Sequence, residues 1–260
     1  MPTSTNDRNR PDRPLPVRSE PPHDPARRAT AAPGFAAGTH SDSRAHYFAS
    51  KLKILPGVTI PLRSMLIDGG AHQILVSPIA TVEEEAHIGG APLVLVAPSL
   101  LHHLHLPSVI ERYRPIELWG PPGLAEKRPE LGTIRTLGND PWPYGDQLEH
   151  VLVRGAPMRN EVVFFHRASR TIYTADLFFN ICDPDGFLAS ISLRMMGIYR
   201  RFGAAKMWRK WVTDRAAFSR SIDEILAWDF ERIVVAHGEV VDENARDRFE
   251  IALRELQLLD

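Results

Sequence analysis

Short apolar and alternating runs begin near Lys51 and recur to the end of the chain. Residues 52–55, 64–67 and 73–77 read as β-strands. Asp68-Gly69-Gly70 reads as the hairpin turn between the last two, because glycine accepts the positive φ a tight turn needs. The unbroken apolar run at 93–97 suits a strand buried on both faces, with a helix following over 107–113. Residues 117–119 predict another strand, which Gly120-Pro121-Pro122-Gly123 ends before a helical turn at 124–128. Residues 151–153, 162–165 and 171–175 predict a second meander, its last two strands joined through 166–170. Asp214 stands where it can cap a helix with Phe218, Ile222, Ile225 and Leu226 on one face. A strand over 232–236 and a final helix from about 242 complete the pattern. Two strand-rich halves, each followed by helices, predict an α/β fold with a two-sheet core and helices outside.

Composition refines this picture at the N-terminus. Residues 1–45 hold eight of the 22 prolines and seven arginines but few bulky apolar side chains, so burial cannot offset the entropy of ordering them. A disordered Pro/Arg-rich tail followed by one domain over 46–260 is the expectation. With a net charge of -1 the chain has no global field for a polyanion, which argues against nucleic acid as a partner. The single Cys182 excludes an internal disulfide framework, so any metal must be held by histidine and carboxylate. Without a long apolar run or a signal-type stretch, a cytoplasmic location is expected. No phosphate-binding glycine loop, dinucleotide fingerprint or Gly-x-Ser-x-Gly elbow is found, which lowers the nucleotide-dependent and serine-hydrolase classes.

Three core-type strands run into ligand-type residues: 93–97 into Pro98 and then His102-His103, 171–175 into Asp176, and 232–236 into His237-Gly238. Loops leaving the carboxyl ends of core strands are where α/β folds build sites. Imidazole and carboxylate together suit one divalent ion: zinc first, with iron or manganese as alternatives. His105 lies past the turn and is left out of the ligand set. His72, His87, His150 and His166 fall in or beside turns and read as solvated, while a lone Cys182 reads as a small buried hydrophobe.

These residues carry a resemblance. The run from Val162-Val163-Phe164-Phe165 to Thr174-Ala175-Asp176-Leu177-Phe178, with Ala236-His237-Gly238 after it, resembles the bridging-Asp segment and the last His motif of the metallo-β-lactamase superfamily. More closely, His102-His103, Gly120-Pro121-Pro122-Gly123-Leu124, Lys127-Arg128-Pro129, Phe164-Phe165-His166-Arg167 and Asp176-Leu177-Phe178-Phe179-Asn180 are similar to an uncharacterised bacterial family of unknown function. The resemblance implies an αββα sandwich over roughly residues 50–258. It also implies losses. The superfamily's His-x-His-x-Asp-His motif aligns with Pro98-Ser99-Leu100-Leu101-His102-His103, so one metal site is gone; the position near Pro157 lacks that site's third histidine, and Ser77-Pro78 stands where the early Asp motif would be. What remains is a mononuclear set of His102, His103, Asp176 and His237. His102 and Asp176 are the candidate catalytic groups, with His102 either completing the shell or acting as general base on water.

The expected function is therefore mononuclear metal-dependent hydrolysis of a small ester, thioester, lactone or phosphodiester. The alternative is a non-catalytic ligand-binding or interaction protein on the same fold. The segment 186–212 carries six Lys/Arg and no acidic residue, interleaved with aromatic and Met residues. It reads as a packed helix pair with a solvated basic face, in preference to a membrane-surface helix or a lid for anionic substrates.

Overall fold

The computed structural model of the protein describes residues 44–258. Apart from Arg44 and Ala45, the tail expected over residues 1–45 lies outside them.

The domain opens with β1 (Arg44–Leu55), β2 (Val58–Asp68) and β3 (Gln73–Val76), a meander paired antiparallel throughout. The chain then alternates through α1 (Val82–His87), β4 (Leu93–Val96), α2 (Leu106–Tyr113), β5 (Glu117–Gly120), α3 (Leu124–Lys127) and β6 (Arg135–Thr136). Strands β3 to β6 pair in parallel, completing a six-stranded sheet in sequential order. The second half supplies β7 (Glu149–Leu152), β8 (Val162–His166), β9 (Thr171–Thr174), β10 (Phe179–Asn180), α4 (Phe187–Met196), β11 (Phe202–Gly203), α5 (Trp208–Trp211), α6 (Arg215–Leu226), β12 (Arg232–Val235) and α7 (Ala245–Glu255). Its main sheet has the order β12-β9-β8-β7, with β12 joined parallel to β9, while β10 and β11 form a separate ribbon.

Period-two alternation assigns each strand residue to a layer. Met65, Ile67, Ile74, Val76, Val94 and Val96 of the first sheet meet Val162, Phe164, Tyr173 and Val234 of the second in one buried cluster between the sheets. The intervening residues Leu66, Leu75, Leu93 and Leu95 face the other way, against Leu106 and Val109 of α2. On the far side Val163, Phe165, Ile172, Ile233 and Val235 pack on Phe218, Ile222 and Ile225 of α6 and Phe249 and Leu253 of α7. The result is the expected four-layer αββα sandwich. Asp214 caps α6 as the pattern requires, its side chain accepting from Ala217 N at 2.9 Å.

His166 departs from expectation. Instead of sitting solvated in a turn it ends β8 as a buried residue, hydrogen-bonded through Nδ1 to Ser169 Oγ at 2.7 Å. Burial pushes its imidazole down to about 4. The unfolded chain takes up this proton below about 6.5, which the folded chain resists until near 4. Stability is thus lost as pH falls through that window, by up to about 3 kcal/mol from this group. Urea midpoints measured from pH 7 to 4 are expected to fall less steeply in His166→Gln than in the parent.

Candidate metal centre

The carboxyl ends of β4, β9 and β12 converge, and three of the four residues singled out as ligands meet there. Ligand atoms of His102, Asp176 and His237 lie within 4.8 Å of one another. Asp176 Oδ1 is 3.7 Å from His102 Nε2 and 3.6 Å from His237 Nε2. Bonds of about 2.1 Å in a tetrahedral shell place neighbouring donor atoms about 3.4 Å apart. The spacing and the two-nitrogen, one-oxygen donor set therefore fit a divalent ion such as zinc, iron or manganese.

Surrounding atoms fix how each donor is presented. Ser77 Oγ lies 2.7 Å from His102 Nδ1, and the Pro61 carbonyl lies 2.9 Å from His237 Nδ1. A carbonyl only accepts, so His237 Nδ1 carries a proton, which leaves Nε2 as the ring atom available to a ligand ion. Ser99 Oγ donates to Asp176 Oδ2 at 3.0 Å, leaving Oδ1 toward the imidazoles. Phe179 stacks on the His237 ring with centroids 5.2 Å apart. Burial opposes ionisation of Asp176, but His102 and His237 outweigh it and hold its carboxyl well below the usual range.

His103 does not join this group, which corrects the four-ligand set. Gly123, at a positive φ, turns the chain into α3, and that short helix aims two cations at the His102-His103 loop. Lys127 Nζ donates to Leu100 O at 2.6 Å, and the Arg128 guanidinium hydrogen-bonds His103 Nδ1. A guanidinium has no acceptor, so His103 Nδ1 spends its lone pair on Arg128. Burial first, then Arg128 and Lys127, push its pKa down. Cys182 is likewise not the buried hydrophobe expected; it is exposed.

Three residues without any motif hold the site's loops. Fully buried Glu161 accepts from Ala175 N at 2.9 Å and Asp176 N at 2.8 Å. Burial and the neighbouring Asp176 push this carboxyl up to about 8, against the pull of those backbone N–H groups. Buried Glu84 plays the same part at the loop carrying Ser77, accepting from Ala80 N at 2.9 Å and Ile79 N at 3.1 Å while hydrogen-bonding Ser64. Arg63 completes the set by donating to Gly238 O at 3.0 Å. Beside His237 a cleft of about 200 Å³ is lined by Pro61, Asn180, Cys182, Asp185, Gly238 and Glu239.

No family model and no curated protein matches the chain. Solved structures do. A flavodiiron core from Synechocystis superposes with a TM-score of 0.58 at 12% identity over 83% of this chain, which spans 59% of the core's length. A flavoprotein from Thermotoga maritima gives 0.58 at 7% identity over 82% of this chain and 58% of its own. A metallo-β-lactamase from Pontibacter korlensis gives 0.54 at 15% identity, covering 84% of this chain and 97% of that one. Identities this low speak for architecture alone. Layer order, sheet topology and these superpositions agree that the chain has the metallo-β-lactamase fold.

Proposed function

We propose that the protein is a mononuclear metal-dependent hydrolase acting on a small ester, thioester, lactone or phosphodiester. The observation that carries this reading is the convergence of His102 Nε2, His237 Nε2 and Asp176 Oδ1 from three strand ends. Three protein donors leave room in a tetrahedral shell for water or substrate. A divalent ion held there supplies Lewis-acid chemistry and lowers the pKa of water toward neutrality. The chain's own groups do the rest: Ser77 and Pro61 orient the two imidazoles, Ser99 orients the carboxylate, and the sandwich interior screens their charges from solvent. Burial of Asp176 and His237 favours one rival, a non-catalytic ligand-binding protein built on the same residues.

Elemental analysis of the purified, untagged chain is expected to find about one equivalent of zinc, iron or manganese, the number one such shell holds. Asp176→Ala and His237→Ala, shown to be folded by circular dichroism, are expected to lose it. His102→Ala separates two roles: loss of metal assigns His102 to the shell, and retention of metal with loss of turnover assigns it to proton transfer. Metal bound without turnover on an ester, thioester, lactone and phosphodiester panel supports the binding-protein rival. Metal retained in both Asp176→Ala and His237→Ala overturns the site.

A further inference from the structure

Helix α4 packs through Ala189 and Leu193, which are buried. At 100° per residue, Phe187, Leu188, Ile191 and Met195 fall together on the opposite side. All four are exposed, Phe187 by 77% and Met195 by 75%. The β1–β2 hairpin tip extends this surface. A Cβ built at Gly57 would touch the Leu188 side chain at 3.2 Å, and Ile54 and Leu55 beside it are 51% and 61% exposed. Side chains of this size exposed singly are unremarkable, but a contiguous apolar stripe marks a surface that another phase or molecule covers.

At the C-terminal end of α4 the charge beside the stripe is positive, while Asp183 and Asp185 precede its N-terminal end. Arg194 and Arg200 both lie over the Tyr199 ring, at 3.6 and 5.4 Å from its centroid, and the Lys206 side chain packs against Gly197 at the end of α4. Among the described residues none of Arg194, Arg200, Lys206 or Lys210 is ion-paired with a carboxylate, whereas Arg201 is held by Glu255. At the other end of α4, Asp185 is paired with Lys51 at 3.3 Å. An exposed Phe/Leu/Ile/Met stripe flanked by unpaired cations matches the chemistry of an anionic bilayer: apolar side chains enter the acyl boundary while the bases meet headgroups. We infer that α4 and the β1–β2 hairpin tip form a docking surface for anionic lipid membranes.

The test uses the full chain and vesicles of neutral phosphatidylcholine, with or without anionic phosphatidylglycerol, in a flotation assay at low and high salt. The expected result is binding to the anionic vesicles at least tenfold stronger than to neutral ones, weakened by salt. Phe187→Gln with Met195→Gln, both exposed and tolerated by the fold, is expected to reduce that binding at least fivefold. Arg194→Gln with Arg200→Gln is expected to abolish most of the preference for anionic lipid, since each base near such a surface is worth about fivefold. Equal binding to both vesicle types, or binding unchanged by the Phe187/Met195 pair, overturns the inference. So does light scattering showing a dimer that the same pair converts to monomer without any vesicle binding, which would assign the stripe to a second copy of the chain.

Discussion

Glu161→Ala is expected to lower the unfolding free energy by about 3–5 kcal/mol, read as a drop in urea midpoint at unchanged slope. The two oxygens of its carboxyl group accept from the N–H groups of Ala175 and Asp176, at 2.9 and 2.8 Å, and all of these atoms are buried. Each buried donor left without an acceptor costs about 1–3 kcal/mol, and removal of the side chain also leaves a void. Glu161→Gln keeps the volume and one carbonyl oxygen but turns an amide NH₂ toward a backbone N–H. It is therefore expected to recover only about half of the loss. The same substitution has a second readout. Glu161 holds the backbone on which the Asp176 carboxylate is mounted, and outer groups of this kind typically change metal affinity about 10–100-fold. Metal titration of folded Glu161→Gln is expected to show a weakening within that range, and unchanged affinity would reduce Glu161 to a purely structural role.

Gly238→Ala is the second large expected effect. Gly238 has φ +128, outside the range that L-residues adopt readily, and a Cβ there would lie 2.1 Å from Asn180 O and 2.3 Å from Asn180 C. Those are backbone atoms held in place: Asn180 N donates to His237 O at 3.0 Å and Glu239 N donates to Asn180 O at 2.8 Å. Neither side can yield without moving His237. A loss of more than about 3 kcal/mol is expected, together with impaired metal binding. Gly70→Ala is the matched control, because Gly70 also has a positive φ but faces open space. It is expected to cost only the backbone strain, about 1–2 kcal/mol. Equal costs for the two variants in thermal or urea unfolding would show that the contact with Asn180 does not matter.

Much of the architecture was legible because the core is two-faced. Strands such as β4 are apolar at every position, and α6 shows a clean helical stripe after a capping Asp214, so the type of these elements follows from the pattern, whereas the short α1, β6, β10 and β11 carry no run long enough to show. The early part of β1 was missed: residues 44–50 mix Arg, His and Tyr with small residues, and their strand state depends on pairing with β2. At the site, strand ends pointed to His102, Asp176 and His237, but nothing local separates His102 from His103. Which of two adjacent imidazoles turns inward is decided by Arg128, 25 residues along the chain from His103, and by Ser77, at the same separation from His102. Glu84 and Glu161 were invisible for a related reason. Glu161 is a single acidic residue beside an apolar segment and Glu84 is the middle of three consecutive glutamates, and only the tertiary fold buries each against backbone donors. The exposed stripe on α4 is the converse case, since a helix apolar on several faces does not announce which face its neighbours leave bare.

The placement of the three donors has a consequence beyond chemistry. His102 follows β4 of the six-stranded sheet, while Asp176 and His237 follow β9 and β12 of the other sheet. An ion bound by all three would span the seam between the sheets, where the unfolded chain offers no comparable arrangement. Free ion at a thousand times its dissociation constant would then add about 4 kcal/mol to folding stability, a share comparable to the whole margin of many domains. Under starvation for that ion the margin would shrink and the population open to proteases would rise, so the abundance of the chain would itself report on metal supply.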